Sequence, residues 1–190
     1  MTRPTESSPH GRRPARPTLQ PLEDRTTPAQ FLVTSAADAG PGTLREAVDL
    51  ANLTAASDEI VFDTANLFAT PQTITLASAL PQIAAAGGPL TITGPGKDRL
   101  TVDGNDTVRV LSSAAPELTL TGFTIANAFG NGDAAALRAQ GVTRLDGMVI
   151  RDSHATRAGG GIYIAINSFL HVRNSTISGN TAGWAGGGIY

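Results

Sequence analysis

Leu120-Thr-Gly-Phe-Thr-Ile125, Leu145-Asp-Gly-Met-Val-Ile150 and Val172-Arg-Asn-Ser-Thr-Ile177 are three copies of one six-residue pattern, offset by 25 and 27 residues. A second pattern keeps the same period: Gly159-Gly-Gly-Ile-Tyr163 returns as Gly186-Gly-Gly-Ile-Tyr190, again 27 residues on. Short triplets such as Leu90-Thr-Ile92, Leu100-Thr-Val102 and Leu118-Thr-Leu120 alternate apolar and polar residues, as a half-buried strand requires. A unit of this length cannot cover its own apolar face, so neighbouring units must stack on one another. The glycines and the period-2 alternation exclude helical repeats. One repeat of this length matches one turn of a three-sided β-solenoid.

If equivalent residues stack at the inter-strand spacing of about 4.8 Å, Leu120, Leu145 and Val172 form one inward column. Ile125, Ile150 and Ile177 form a second, and Ile162 with Ile189 a third. Thr121, Asp146 and Arg173 then share an outward column, which places Asp146 beside Arg173 and predicts a solvated ion pair of small energetic value. Gly122, Gly147 and Asn174 fall at one corner, and Asn127 and Asp152 at another. These residue types tolerate positive φ or bond their own backbone. The glycine triplets give a compact turn without Cβ collisions between turns.

Upstream, short triplets predict further strands: Ile74-Thr-Leu76, Leu90-Thr-Ile92, Leu100-Thr-Val102, Val108-Arg-Val110 and Leu118-Thr-Leu120. Residues 64–190 are therefore read as successive turns. Residues 31–63 differ. Phe31–Thr34 and Asp58–Asp63 read as strands, and Thr43-Leu-Arg-Glu46 has the spacing of a capping box. Leu44, Ala47, Val48 and Ala51 fall on one face of a helix over about 44–53. Such a unit caps a solenoid by covering the open core of its first turn. Residues 1–30 hold six of the twelve prolines and five arginines, a composition that predicts a disordered leader. Within it, Leu22–Ala29 resembles a short N-terminal motif of planctomycete exported and surface proteins.

The whole chain of 190 residues carries a formal net charge of −2 and no cysteine. A nucleic-acid partner, which calls for a concentrated basic face, is not expected, and neither is a disulfide or a Cys-ligated metal. No apolar run approaches the roughly 20 residues that span a bilayer, and no conventional signal peptide is visible.

Gly40-Pro-Gly-Thr-Leu-Arg-Glu-Ala-Val48 followed by Asp58-Glu-Ile-Val-Phe-Asp63 resembles the N-terminal module called the CSLREA domain, with Gly42-Thr43 where the usual cysteine stands. Ile92–Gly96 and Leu100–Gly104 are similar to the segment that follows it. Ile177-Ser-Gly-Asn-Thr-Ala182 and Gly186–Tyr190 resemble the repeat of polymorphic outer-membrane proteins. The resemblance covers about residues 31–190. It implies a right-handed parallel β-helix of the pectin lyase-like kind, exposed on the cell surface or secreted, in an adhesive or structural role. Relatives of this sort carry many more turns and a C-terminal anchor, whereas this sequence stops on a repeat motif. A truncated product without a C-terminal cap is the resulting expectation, with self-association through its last turn.

The same architecture hosts polysaccharide lyases and glycoside hydrolases, so fold alone assigns no activity. Hydrolysis needs two carboxylates at a defined separation, and calcium-dependent elimination needs several acidic oxygens. After Asp152 there is no Asp or Glu. The local cluster of Asp146, Arg151, Asp152, His154, His171 and Arg173 does not converge in this register: His154 lies against Thr181 and His171 against Arg144. No catalytic residue, cofactor or metal site is expected. Gly130-Asn-Gly-Asp133 is half of a calcium-binding nonapeptide pair and reads as a loop. Trp184 has two readings, a contact for sugar or protein and a ring packed on its own turn. Surface-contact candidates are Trp184, Asp146 and Arg173. The leading expectation is a non-catalytic surface scaffold that binds a polysaccharide or protein. A fragment of a carbohydrate-active enzyme and a gene remnant without activity are the alternatives.

Overall fold

The computed structural model describes residues 28–84 and 86–190. The expected leader lies outside the described residues except for Pro28, Ala29 and Gln30, and Gln30 already opens the first strand. The chain winds as a parallel β-helix of about six turns. Its first wall stacks β1 (Gln30–Val33), β2 (Asp58–Phe62), β4 (Leu90–Thr93), β7 (Glu117–Thr121), β11 (Val142–Asp146) and β15 (Phe169–Arg173) in that order. The second wall holds β3 (Gln72–Thr75), β5 (Leu100–Asp103), β8 (Thr124–Ala126), β12 (Val149–Arg151) and β16 (Thr176–Ser178). The third holds β6 (Leu111–Ser113), β10 (Leu137–Ala139) and β14 (Ile162–Ile164). Two-residue runs β9 (Phe129–Gly130), β13 (His154–Ala155) and β17 (Thr181–Ala182) form a short ladder between the second and third walls along the chain.

The repeats pair as their period requires. Leu120, Leu145 and Val172 are register partners on the first wall, and Ile125, Ile150 and Ile177 on the second. Ile162 bridges to Ile189. Leu118, Leu120, Ile125 and Ile150 are fully buried, each stabilising the fold by about 1.5–3 kcal/mol. Gly122, Gly147 and Asn174 all take positive φ at the corner after the first wall, as do Asn127, Asp152 and Gly179 at the corner after the second. In the first glycine triplet, a Cβ on Gly160 would sit 2.5 Å from the Gly187 carbonyl oxygen and one on Gly161 2.6 Å from that of Gly188, so the second loop nests against the first because the first lacks side chains.

The helix α1 (Leu44–Ala51) packs Leu44, Ala47, Val48 and Ala51 onto β1 and β2, two residues shorter than expected. Its N-terminal ring differs in one bond from the predicted capping box. The Thr43 hydroxyl accepts from the Glu46 N–H at 3.3 Å, but the Glu46 carboxylate takes the Gly42 N–H at 2.6 Å, one residue further out. Arg45 clamps the cap: its guanidinium meets Asp38 at 2.5 Å and donates to the carbonyls of Asp38, Ser78 and Ala79. Asn52 holds the same overlying segment at Gln82 and Ala84.

Val108-Arg-Val110 is not a strand. The chain is still turning there, because the Thr107 and Val108 N–H groups close back on the Gly104 carbonyl, and the third-wall strand begins one residue later at Leu111. Among the described residues no helix is long and apolar enough to cross a membrane.

Candidate functional site

Alternation along each strand that buries one set of side chains turns the other set outward, so the parallel register builds outward columns as regular as the core. On the first wall one column runs Glu59, Thr91, Thr119, Arg144, His171, and its neighbour runs Val61, Thr93, Thr121, Asp146, Arg173. Hydroxyls occupy the middle of this face, and Arg144, Asp146, His171 and Arg173 its last two turns. An open groove of about 380 Å³ crosses β7, β11 and β15, lined by Thr119, Thr121, Arg144, Asp146, His171 and Arg173 over Leu145. That volume falls in the roughly 300–1,000 Å³ range of small-molecule sites.

The predicted Asp146–Arg173 ion pair does not form. The two are register partners, but the Asp146 carboxylate accepts from the Asn174 side-chain amide at 2.9 Å instead. Asn174 occupies the corner at φ 49°, which swings its amide back over the preceding turn. The ion pair on this face joins Arg144 to Glu117 at 3.0 Å, with both side chains more than two-fifths exposed. Such a pair contributes at most about 1 kcal/mol.

The remaining candidates lie elsewhere. Arg151 pairs with Asp152 at 2.6 Å. His154 sits on the short ladder, its Nδ1 2.8 Å from the Thr181 hydroxyl and its ring stacked on Phe129 at 6.0 Å. The structure thus divides the cluster: Asp146, His171 and Arg173 share the groove on the first wall, whereas Arg151 and Asp152 lie at the second wall and His154 on the short ladder. Gly130 closes β9, and after it Asn131–Asp133 form a loop tied to the next turn, with Asp133 engaged by Arg157 at 3.6 Å and the Gly132 N–H donating to the Thr156 hydroxyl. Among the described residues no three His, Asp or Glu side chains gather as metal ligands would.

Trp184 is not part of the groove. It tilts at 43° against Tyr190, ring centres 6.0 Å apart, and Tyr190 stacks on Tyr163 at 5.6 Å. Arg138 lies 6.0 Å above the Tyr163 ring. Trp184 leans on Tyr190 of its own turn and is otherwise 69% exposed. The glycine-triplet repeat already aligned Tyr163 with Tyr190, but Arg138, their register partner on β10, has no sequence likeness to them and was invisible. Nearby, Arg109 donates to the carbonyls of Asp133 and Ala134. Burial, then the adjacent Arg138 charge, pull its pKa below the usual arginine value against the opposing pull of Asp133.

No family model matches the chain, and no curated protein matches it.

Proposed function

We propose that this chain is a non-catalytic β-helix scaffold, displayed on the cell surface or secreted, whose first wall binds a polysaccharide or protein. The observation that carries this reading is the groove across β7, β11 and β15, where hydroxyl, guanidinium, imidazole and carboxylate groups line one open face. Its lining holds a single carboxylate, Asp146, already engaged by Asn174. Two-carboxylate hydrolysis needs a second acid across the scissile bond, and calcium-assisted elimination needs several acidic oxygens. The groove has the means to hold a ligand by hydrogen bonds and charge without that machinery. The likeness of residues 40–48 and 58–63 to the CSLREA module, and of 177–190 to polymorphic outer-membrane repeats, supports the surface location and the adhesive role.

The test is retention of the full chain on a panel of immobilised polysaccharides and proteins, alongside fractionation of the cells that make it. Binding reduced by the Asp146→Ala/Arg173→Ala double variant, with an unchanged melting temperature, is the expected result. Depolymerisation of a polysaccharide, abolished by Asp152→Asn, would overturn the reading in favour of an enzyme. Recovery of the protein only in the cytosolic fraction would overturn the location.

A further inference from the structure

We infer that the groove on the first wall takes an anionic polysaccharide, lying along the solenoid axis across three turns. Its carboxylate or sulfate groups meet Arg173 and His171, and its hydroxyls meet Thr119, Thr121 and Asp146. This rests on the binding-scaffold reading and names its ligand class.

Charge distribution is the first argument. Residues 28–133 carry four Lys and Arg against eleven Asp and Glu, whereas residues 134–190 carry five arginines against two aspartates. A protein of net negative charge does not hold a polyanion by its overall field, so attraction must be local. The groove lies on the turns where the sign reverses.

The second argument is which cations are engaged. Of the two arginines that line the groove, Arg144 meets a carboxylate, that of Glu117. Among the described residues Arg173 has no carboxylate within 4.0 Å, although Asp146 is its register partner, because Asn174 holds that carboxylate. His171, two residues before it on β15, points to the same face and pairs in register with Arg144. A guanidinium and an imidazole side by side on one strand, neither within 4.0 Å of a carboxylate among the described residues, offer donors that carboxylate and sulfate oxygens accept.

Spacing is the third. Cationic positions occupy two turns, Thr119 and Thr121 the turn before, and Thr91 and Thr93 the turn before that. The Asp146 and Glu117 carboxylates interrupt the positive face. A continuous phosphate backbone would meet both repulsively, whereas a chain with spaced anions and intervening hydroxyls meets each group with a partner.

The experiment measures binding of the full chain to polygalacturonate, dextran sulfate, neutral dextran and single-stranded DNA. Binding to polygalacturonate assigns carboxylate recognition, and binding to dextran sulfate assigns sulfate. Either is expected to weaken as salt rises, and to weaken about tenfold or more in the His171→Ala/Arg173→Ala double variant. Arg157→Ala, outside the groove lining, is expected to change affinity less than twofold, and circular dichroism should be unchanged in both variants. The inference fails if neither acidic polysaccharide binds, if the double variant binds undiminished, if Arg157→Ala weakens binding equally, or if DNA binds as tightly. Binding of neutral dextran alone, lost on Asp146→Ala, would remove the anionic ligand and leave the scaffold reading intact. Cleavage of either acidic polysaccharide would remove the scaffold reading itself.

Discussion

The first turns and the last turns of this solenoid share an interior and differ on everything outside it. Leu90, Leu118 and Thr143 continue one inward column just as Leu120, Leu145 and Val172 continue another. Yet the outer surface passes from a strongly acidic half to a basic one near residue 134. Side-chain bonds join turns at both ends, Asp58 and Glu59 accepting from Ala29, Gln30 and Thr93 near the start, but their setting differs. At the N-terminal end the buried face of α1 and the Arg45 clamp hold the structure. Toward the other end, polar side chains reach between turns: the hydroxyls of Ser153, Ser168 and Ser175 and the amide of Asn180 each accept an N–H from the preceding turn. The difference teaches that the inward positions set the winding and leave the outward ones free to vary. Function is therefore to be sought where the outward columns depart from the threonine pattern.

The largest expected effect comes from the shared interior. Leu120→Ala, at a fully buried site, should cost about 2–5 kcal/mol in denaturant unfolding. Val172→Ala, in the same column but 39% exposed, should cost well under half as much. Equal losses would erase the contrast between inner and terminal turns. Next comes the clamp. Arg45→Ala removes two hydrogen bonds to Asp38 within the cap and two to the carbonyls of Ser78 and Ala79 beyond it and should destabilise by about 3 kcal/mol, whereas Arg144→Ala, which breaks an exposed pair on the basic half, should cost at most about 1 kcal/mol. Matching melting shifts for the two arginines would contradict their assignment to different roles. The smallest effect has the opposite sign. The Thr143 hydroxyl is buried without a hydrogen-bond partner, so Thr143→Val should raise stability by about 1 kcal/mol, read as a higher unfolding midpoint.

Much of this was legible before the structure, because stacking ties sequence period to space. The columns at 120, 145 and 172 and at 125, 150 and 177 follow from like residues at like spacing, and the corner at Gly122, Gly147 and Asn174 follows from the few residue types that accept positive φ. What escaped the sequence depends on side-chain direction or on local closure. Val108-Arg-Val110 alternates as a strand does, but the Val108 N–H closes back on the Gly104 carbonyl and the strand starts only at Leu111. Asp146 and Arg173 were rightly placed side by side, yet the corner geometry of Asn174 decides which of its neighbours the carboxylate meets. The groove itself needs the relation of three outward turns, and its basic character is hidden in a chain whose net charge is −2.

The in-register stacking of turns is open to one direct measurement, since the chain contains no cysteine. Thr121 and Asp146 are outward register partners on adjacent strands, within the Cα separation a disulfide bridges. Oxidation of the Thr121→Cys/Asp146→Cys variant should give an intramolecular disulfide, visible by mass and by faster non-reducing migration. Thr121→Cys/Arg151→Cys, with the two residues on different walls, should give none. A cross-link in the second pair and not in the first would contradict the winding from which every assignment above proceeds.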